Sequence, residues 1–385
     1  MAKPVVKVKK KAKKIAKKKS RSTKPKGGKG ELVPLRYRAA LIGCGNIARA
    51  HAQGYKGVER IDLVAGADPD EQKGRVFAEQ FDIPQMYADY REMLDAEKPD
   101  IVSICTWHPL HAEMTIAAAA RHPRAILCEK PMATSLGEAE EMIVACRRND
   151  VKLAVGFQRR FTAAWTRARE LIAAGTVGKV KRVSHARLTG LLNATSHGLD
   201  CMRYILGDPE VQWVFAQVER KTDRYERSIR CEDCIGGFLY FDGDVQVNFQ
   251  TDMVGDQKWA FVQGAEGMLD FDDGWVRYFN SESGGWRDVE LEPVDVMAAQ
   301  ARELVDWIEG HCEHRGHAGN GLWSMQMMMG AYESARLHER VYLPVQTRAN
   351  PLDLMVESGH LPVERPGRYD VRSFLLSGEA MDLEY

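Results

Sequence analysis

The sequence predicts an α/β protein in which a parallel sheet covered by helices is followed by a domain with a large, open and mainly antiparallel sheet. Two observations carry this prediction. Short apolar segments alternate with helical segments from Tyr37 to about residue 155, as βαβ units do. Beyond residue 156, helices become sparse and segments of alternating polarity follow one another across turn residues.

The first half of the chain alternates between apolar segments of strand length and segments with helical spacing. The predicted strands are Arg38–Ile42, Ile61–Ala67, Ile101–Thr106, Ala125–Cys128 and Lys152–Gly156. The predicted helices are Asn46–Gly54, Glu71–Phe81, Tyr90–Glu97, His111–Arg121 and Ser135–Arg148. Near-continuous apolar strands separated by helices imply a parallel sheet that is buried on both faces.

The second half of the chain has a different rhythm, with strands that follow one another directly. The predicted strands are Lys179–Leu188, Gln212–Arg220, Ile235–Phe241, Val245–Asp252, Trp259–Gly264, Gly267–Asp272 and Trp275–Phe279. The predicted helices are Thr162–Ala174, Ser196–Leu206, Val296–Cys312 and Leu322–Arg340. Turns such as Asp242-Gly-Asp244 between consecutive strands favour antiparallel pairing.

Charge is distributed unevenly along the 385 residues, although the formal net charge is zero. Residues 1–30 carry 14 Lys and Arg and no acid, whereas residues 31–385 carry 40 basic and 54 acidic side chains. The basic segment has too few large apolar residues to offset the entropy of ordering, so we expect a disordered tail. A solvated tail is the favoured interpretation, and binding of nucleic acid or an anionic surface is the alternative.

These patterns predict four regions. They are a basic tail (1–33), a nucleotide-binding domain (34–155), a substrate and oligomerisation domain (156–344) and a C-terminal arm (345–385). The eight cysteines include several inside apolar runs, where thiols behave as small hydrophobic groups, so we expect a reduced, cytoplasmic chain. We expect no secretory signal and no membrane span.

The turn after the first strand has the spacing of a dinucleotide-binding fingerprint. Gly43 permits a tight turn, Gly45 lets the backbone approach a pyrophosphate, and Ala48 allows close packing of helix on strand. Asp68 ends the next strand, where a carboxylate accepts hydrogen bonds from ribose hydroxyls and repels a 2′-phosphate. The sequence therefore predicts NAD as cofactor, in preference to NADP.

Two further loops follow strands whose carboxyl ends should open onto the same crevice. Thr106 ends the strand that begins at Ile101 and is a candidate cap, and His108 or His111 would line the nicotinamide ribose. In the alternative interpretation, His111 merely caps the next helix. Glu129 and Lys130 follow the fourth strand, and Pro131 keeps the lysine extended. Desolvation there would suit the lysine to proton transfer, while a surface salt bridge is the alternative.

Taken in order, these motifs and the segment Gly156–Phe161 resemble the Gfo/Idh/MocA oxidoreductase family over about residues 36–345. The resemblance implies a Rossmann domain followed by a domain whose open sheet is often used for oligomer contacts. It implies NAD(P)-dependent hydride transfer at a hydroxyl or carbonyl of a sugar, polyol or related small molecule. The expected partners are that substrate and further copies of the chain, as a homodimer or homotetramer.

The resemblance also assigns the site residues. It makes Lys130 and His197 catalytic, with substrate contacts from Lys130, Arg160, Asn193 and His197. The residues assigned to the cofactor are Gly43, Gly45, Asn46, Ile47, Asp68, Thr106, His108, His111, Glu129, Lys130, Gln158 and Arg159.

The chain departs from the family at four points. Asn193 and Thr195 stand where aspartate and glycine are usual, and Trp107 stands where proline is common. An amide orients a neighbouring group but cannot stabilise a charged imidazole as a carboxylate would, so the Lys–Asp–His set is incomplete. The loop ahead of this helix, 188–192, is short, which suggests an open pocket or one closed by the arm or another subunit.

Two alternative functions stay open beside the leading one. Tightly bound NAD could be recycled through oxidation, elimination and reduction of a sugar, or the chain could be a non-catalytic NAD-responsive binding protein. The pair Cys231 and Cys234 and the segment His311–His317 have partial metal-ligand spacing. Four converging ligands are not evident in either, so we expect no metal.

Overall fold

A parallel sheet of six strands forms the first layer of the protein. The computed structural model describes residues 35–186, 190–251 and 260–370. The strands are β1 (Tyr37–Ile42), β2 (Ile61–Ala67), β3 (Gln85–Tyr87), β4 (Ile101–Ile104), β5 (Ala125–Cys128) and β6 (Lys152–Val155). Their order across the sheet is β3-β2-β1-β4-β5-β6. The predicted parallel sheet is confirmed, and the short edge strand β3, which carries little apolar pattern, is an addition.

Five helices connect these strands and cover both faces of the sheet. They are α1 (Asn46–Lys56), α2 (Glu71–Phe81), α3 (Tyr90–Glu97), α4 (His111–Ala119) and α5 (Leu136–Arg148). Asp70 and Ser135 cap α2 and α5 by accepting the Lys73 and Glu138 backbone N–H groups. Each of the five lies within a few residues of its prediction, because helical spacing and caps are local signals.

Side chains from the sheet divide between two apolar cores. Ala39 and Leu41 of β1 face the core beneath α1, while Ala40 and Ile42 face a larger core that continues under the second sheet. Successive side chains of a strand point to opposite faces, so a strand buried on both sides must be apolar throughout. The second sheet is thus packed on the first through one shared core.

A mixed sheet of nine strands forms the second layer. Its strands are β7 (Val180–Ala186), β8 (Val211–Glu219), β11 (Cys234–Phe241), β12 (Val245–Gln250), β13 (Ala260–Gly264), β14 (Gly267–Phe271), β15 (Val276–Asn280), β16 (Arg287–Val289) and β17 (Val341–Tyr342). Their order is β16-β15-β14-β13-β7-β12-β11-β8-β17. Every neighbouring pair is antiparallel except β7 with β12, so the prediction of a mainly antiparallel sheet is confirmed.

The remaining elements lie on or beside this sheet. The helices are α6 (Ala163–Ala173), α7 (Ser196–Ile205), α8 (Val296–Glu309), α9 (Ala318–Leu337) and α10 (Pro351–Glu357). A further three-stranded sheet consists of β9 (Thr222–Glu226), β10 (Ile229–Arg230) and β18 (Arg365–Asp370). No helix of the described residues is both long enough and apolar enough to span a membrane.

Some elements were not predicted. The predicted C-terminal arm contains, up to residue 370, the helix α10 and the strand β18, and β18 pairs in parallel with β9. The helix predicted from Leu322 begins four residues earlier, after the cap His317. The predicted tail (1–33) and the end of the arm beyond residue 370 lie outside the described residues. So does part of the short loop 188–192.

Helix α8 returns from the second half of the chain to the first sheet. Gly54 of α1 faces the Met297 backbone so closely that a Cβ on Gly54 would lie 2.7 Å from it. Apolar residues of α8 such as Leu304 complete the core beneath α1. The strands of the first sheet all precede the predicted boundary at residue 155. One of the helices that pack on this sheet, α8, comes from beyond that boundary.

Near the end of α8, His314 is fully buried among Phe161 and Trp307. Burial lowers the pKa of His314 from 6.5 to about 3, so the folded protein holds a neutral imidazole. An unfolded chain would protonate it below its ordinary pKa. Between the two pKa values the unfolded state therefore binds more protons, and stability decreases as the pH decreases.

We expect the free energy of unfolding to decrease by up to about 1.4 kcal/mol per pH unit through His314 between its two pKa values. The variant His314→Gln should show a smaller difference in urea unfolding between about pH 7 and about pH 5 than the unchanged protein. His360→Gln, at an exposed position, is the matched control. An equal pH dependence in all three proteins would contradict the assignment.

Candidate functional site

The carboxyl ends of β1 and β4 mark the place where the strand order reverses, and a crevice opens there. Gly43 has φ 88°, and a Cβ on it would lie 2.9 Å from the Cys105 carbonyl oxygen. Only glycine adopts this backbone geometry without strain, so Gly43 lets the turn after β1 approach the loop after β4. The predicted role of Gly43 in a tight turn agrees with this geometry.

Gly45 leaves the amino end of α1 open toward the crevice. It is the N-cap residue of α1, no side chain caps the helix, and a Cβ on it would have no atom within 4 Å. Asn46 and Ile47 are the first two helical residues. A helix amino end with free N–H groups and empty space before it suits a pyrophosphate. The residues present therefore fit a dinucleotide.

Asp68 stands at the end of β2, beside this helix end. Its Oδ2 accepts the Cys44 N–H at 2.8 Å and lies 2.9 Å from Lys73 Nζ, while Oδ1 accepts the Asp70 N–H at 3.1 Å. A carboxylate has about four lone-pair positions, so Oδ1 keeps one for a ribose hydroxyl. The assignment of Asp68 to the adenosine ribose stays a prediction, with which this arrangement is compatible.

The loop after β4 contains two buried histidines. His111 Nδ1 lies 2.8 Å from the Pro131 carbonyl oxygen and its Nε2 lies 3.2 Å from that of Thr106, so His111 ties the two loops together. His108 is 1% exposed, and burial followed by the charges of His111 and Lys130 holds its pKa well below the usual range. His108 is therefore neutral at pH 7.

A buried hydrogen-bonded chain fixes Glu129 from the side of the sheet. His51 Nε2 lies 2.9 Å from Glu129 Oε1, His51 Nδ1 lies 3.0 Å from Ser103 Oγ, and Tyr55 Oη lies 2.5 Å from the same hydroxyl. Burial acts to raise the pKa of Glu129, but the hydrogen bond and charge of His51 and the charge of Lys130 outweigh it, and the pKa is lowered.

Among the residues of this hydrogen-bonded network, only Glu129 was identified from the sequence as a site residue. His51, Ser103 and Tyr55 belong to α1 and β4, and each is at most 2% exposed. The available signal was the position of His51 on the same helix face as Ala48 and Ala52, which marks a polar group in an apolar stripe. This network holds Glu129 against the sheet, and Glu129 in turn supports the neighbouring Lys130.

Lys130 reaches from the first sheet to the helical segment of the second layer. Its Nζ donates to the Asn193 carbonyl oxygen at 3.0 Å and approaches Asn193 Oδ1 at 3.4 Å. Asn193 lies in a π-helical turn, Leu191–Thr195, that leads into α7. His197 follows on α7, is 7% exposed, and its ring meets the edge of Phe157 at the end of β6. Lys130 and Asn193 are thus in contact.

The segment after β6 contains three residues predicted to bind cofactor or substrate. Gln158 Oε1 is buried and has no partner among the described residues, and Arg159 binds Asp273 through Nη2 at 2.9 Å. Arg160 is fully buried and makes two hydrogen bonds of 2.7 Å to Asp200. Its remaining donors face Asp208 and the Arg315 carbonyl oxygen, so this geometry offers Arg160 no contact with a substrate.

The cysteines and histidines with metal-like spacing do not converge. Cys231 is buried against Gly190, while the Cys234 thiol faces Glu219. Near the second segment, Asp306, Glu309 and His311 approach one another at the surface. Glu309 already pairs with Arg60 and Tyr37, which lowers its pKa to about 2, so this group gives no evidence for a metal.

Comparison with known proteins agrees with the geometry of the crevice. Residues 37–157 match the Gfo/Idh/MocA family, described as an oxidoreductase family with an NAD-binding Rossmann fold. Myo-inositol 2-dehydrogenase of Thermotoga maritima is 32% identical over 193 residues, which are 46% of this chain and 57% of that protein. D-apiose dehydrogenase of Paraburkholderia graminis is 25% identical over 354 residues, 84% of this chain and 94% of that protein.

A solved structure extends the similarity to the second layer. Aldose-aldose oxidoreductase of Caulobacter crescentus, crystallised with glycerol, has a TM-score of 0.73 and 25% identity over 80% of this chain and 100% of that one. The fold and the crevice thus define an NAD-binding oxidoreductase of the Rossmann class. Residues 37–157 thus match the NAD-binding Rossmann domain of the Gfo/Idh/MocA family, in agreement with the predicted resemblance, and the predicted fold class and NAD cofactor are confirmed.

We expect Gly45→Val to weaken NADH binding by about tenfold or more while the protein stays folded, because the new side chain fills the space before α1 without meeting other atoms. Gly285→Val is the matched control, since a Cβ at Gly285 also has no neighbour within 4 Å. Fluorescence titration with NADH measures the affinity. Equal affinity in both variants would mean that the dinucleotide binds elsewhere.

Proposed function

We propose that the protein transfers hydride between NAD and a hydroxyl or carbonyl group of a sugar, polyol or related small molecule. The contact between Lys130 and Asn193 is the observation that carries the proposal, since it brings an ammonium group to the point where the first sheet faces α7. Relatives named for inositol and apiose support a polyhydroxylated substrate. Residues 34–155 would hold the cofactor and residues 156–344 the substrate.

Different residues of the chain would bind the cofactor, polarise the reacting oxygen and transfer its proton. NAD, when bound, supplies the hydride acceptor or donor at its nicotinamide ring. The N–H groups at the start of α1 and the Asp68 carboxylate hold the two ends of the adenosine half. Lys130 donates a hydrogen bond to the reacting oxygen, and His197 takes or returns its proton. Glu129 keeps the lysine at the strand end through its bond to His51.

The neutral amide of Asn193 changes the balance of charge in this set. A carboxylate at this position would stabilise a protonated His197, whereas Asn193 offers only hydrogen-bond acceptors and donors. At this position the chain therefore supplies no carboxylate to a protonated His197. The position of Lys130 is then the main determinant of how strongly the reacting oxygen is polarised.

We expect Lys130→Ala to reduce turnover by at least about 100-fold with little change in NADH affinity, because the lysine acts on the reacting oxygen and not on the phosphates. A screen of sugars, inositols and their oxidised forms with NAD identifies the substrate first, by absorbance of reduced nicotinamide. Lys152→Ala is a control, since Lys152 lies over the Trp307 ring. Turnover that persists in Lys130→Ala would remove the lysine from the mechanism.

We further propose that the exposed face of the nine-stranded sheet joins copies of the chain into a homodimer or homotetramer. Phe215 and Phe238 are directly opposed on β8 and β11 and are 37% and 42% exposed. Trp213 and Tyr240 stack beside them with ring centroids 5.1 Å apart. A continuous aromatic surface on an open sheet is unfavourable in water, and a second copy would cover it.

We expect the double variant Phe215→Glu with Phe238→Glu to have a smaller mass in solution than the unchanged protein, because buried charges oppose association. Light scattering after size-exclusion chromatography measures the mass. Val76→Glu, at an apolar position of α2 that is 46% exposed, is the control. The same mass in the double variant and the control would place the interface elsewhere.

We also propose that the protein works in a reduced, cytoplasmic environment. A cytoplasmic, reduced environment is supported by the eight cysteines, all of which are free. We propose that residues 1–30 form a solvated tail, in preference to a site for nucleic acid or an anionic surface. Salt-dependent binding of the full chain to DNA that is lost on deletion of these residues would favour the alternative.

A further inference from the structure

The main chain of Asn193, more than its side chain, holds Lys130. The Lys130 ammonium lies 3.0 Å from the backbone carbonyl oxygen and 3.4 Å from Oδ1. Ser196 Oγ donates to the same carbonyl oxygen at 2.6 Å. The backbone of Asn193 therefore supplies the closer of these two acceptors. The location of that carbonyl depends on what fixes the π-helical turn.

A buried carboxylate binds the first residue of this turn. Glu232 is fully buried, and its Oε1 accepts the Leu191 N–H at 2.6 Å. Its Oε2 accepts the Tyr332 hydroxyl at 2.5 Å, from the middle of α9. The first N–H groups of a helical segment lack partners within the segment, and a carboxylate there is favoured by the helix dipole. Glu232 therefore anchors the turn to the centre of the second layer.

Gly190, directly before the turn, packs closely against the residues around this anchor. A Cβ on Gly190 would lie 2.0 Å from Cys231 Sγ and 3.2 Å from Glu226 Oε2. Burial raises the pKa of Glu232, while its hydrogen bonds with Tyr332 and the Leu191 backbone act in the other direction. A buried carboxylate that loses a donor is strongly unfavourable, so both donors are retained together.

We propose that Glu232 is a positioning residue that, by binding the Leu191 N–H, fixes the Asn193 carbonyl oxygen and through it the Lys130 ammonium group. The catalytic meaning of this arrangement rests on the proposed function. The positioning itself does not, because it can be measured on Lys130 without any substrate.

Chemical labelling of Lys130 tests the proposal. Trace acetylation with acetic anhydride, followed by peptide mass spectrometry, measures how readily each amine reacts. A lysine whose ammonium group loses this hydrogen bond is more accessible to the reagent. We expect Glu232→Ala to increase the labelling rate of Lys130 by about fivefold or more, and Glu232→Gln, which keeps an acceptor oxygen, to restore most of the protection.

Lys130 labelling in Glu232→Ala is compared with labelling after substitution of Asn193, whose backbone carries the acceptor oxygen. We expect Asn193→Ala to change the Lys130 labelling rate by less than about twofold, since the backbone carbonyl remains and the lost contact is the longer one. Glu333→Ala is the matched control, because Glu333 is the buried glutamate next to Tyr332 and binds Arg336 and Thr347 instead. It should leave Lys130 labelling unchanged.

Tyr332→Phe keeps the test decisive if Glu232→Ala does not fold. It removes one donor of the carboxylate with almost no change in volume, and we expect it to increase Lys130 labelling by about twofold. Unchanged Lys130 labelling in a folded Glu232→Ala or Tyr332→Phe protein would overturn the proposal. So would an increase in Asn193→Ala as large as that in Glu232→Ala.

A second readout separates positioning from general loss of structure. We expect Glu232→Ala to lower kcat on the substrate found by the screen while the NADH affinity from fluorescence changes by less than about twofold. Equal loss of NADH affinity would indicate a disordered protein and contradict the proposal. If no sugar or polyol is ever turned over but the labelling pattern holds, the proposed function fails and the positioning by Glu232 stands.

Discussion

The crevice depends on one hydrogen bond, from the Lys130 ammonium group to the Asn193 carbonyl oxygen. It joins the end of β5, at the carboxyl edge of the parallel sheet, to the turn that starts α7. These two elements belong to different sheets and are separated by 63 residues along the chain. A charged donor that spans the crevice requires an acceptor fixed on the other side, so the packing of both layers must hold these two groups in register.

Each end of this bond is supported by a buried acid. Glu129, next to the lysine, is held by His51 of α1, and Glu232 binds the backbone of the turn that carries Asn193. Burying a carboxylate is costly unless its oxygens accept hydrogen bonds, and both acids meet this condition. The two buried acids thus lie on either side of the contact that holds Lys130 in position.

A third buried contact acts on the same helix from behind. Arg160, in the segment that resembles the family motif, binds Asp200 of α7, three residues beyond His197. Ser324 of α9 donates to the same carboxylate at 3.1 Å. The motif residue therefore orients the helix that carries the histidine, although the resemblance suggested a contact with substrate. The planar guanidinium of Arg160 binds the Asp200 carboxylate through two donors, and this contact fixes α7.

The sequence by itself determined the elements whose signals are local. Apolar runs, helical spacing and the glycine turn placed five of the six strands of the parallel sheet, and chain order placed Gly43, Asp68 and Lys130 at one edge, because parallel strands end on the same side. Only the tertiary structure decided the partners of Arg160 and Glu232. Those contacts join residues 40 and 41 positions from their partners, and no periodicity encodes which buried charges meet when two sheets pack together.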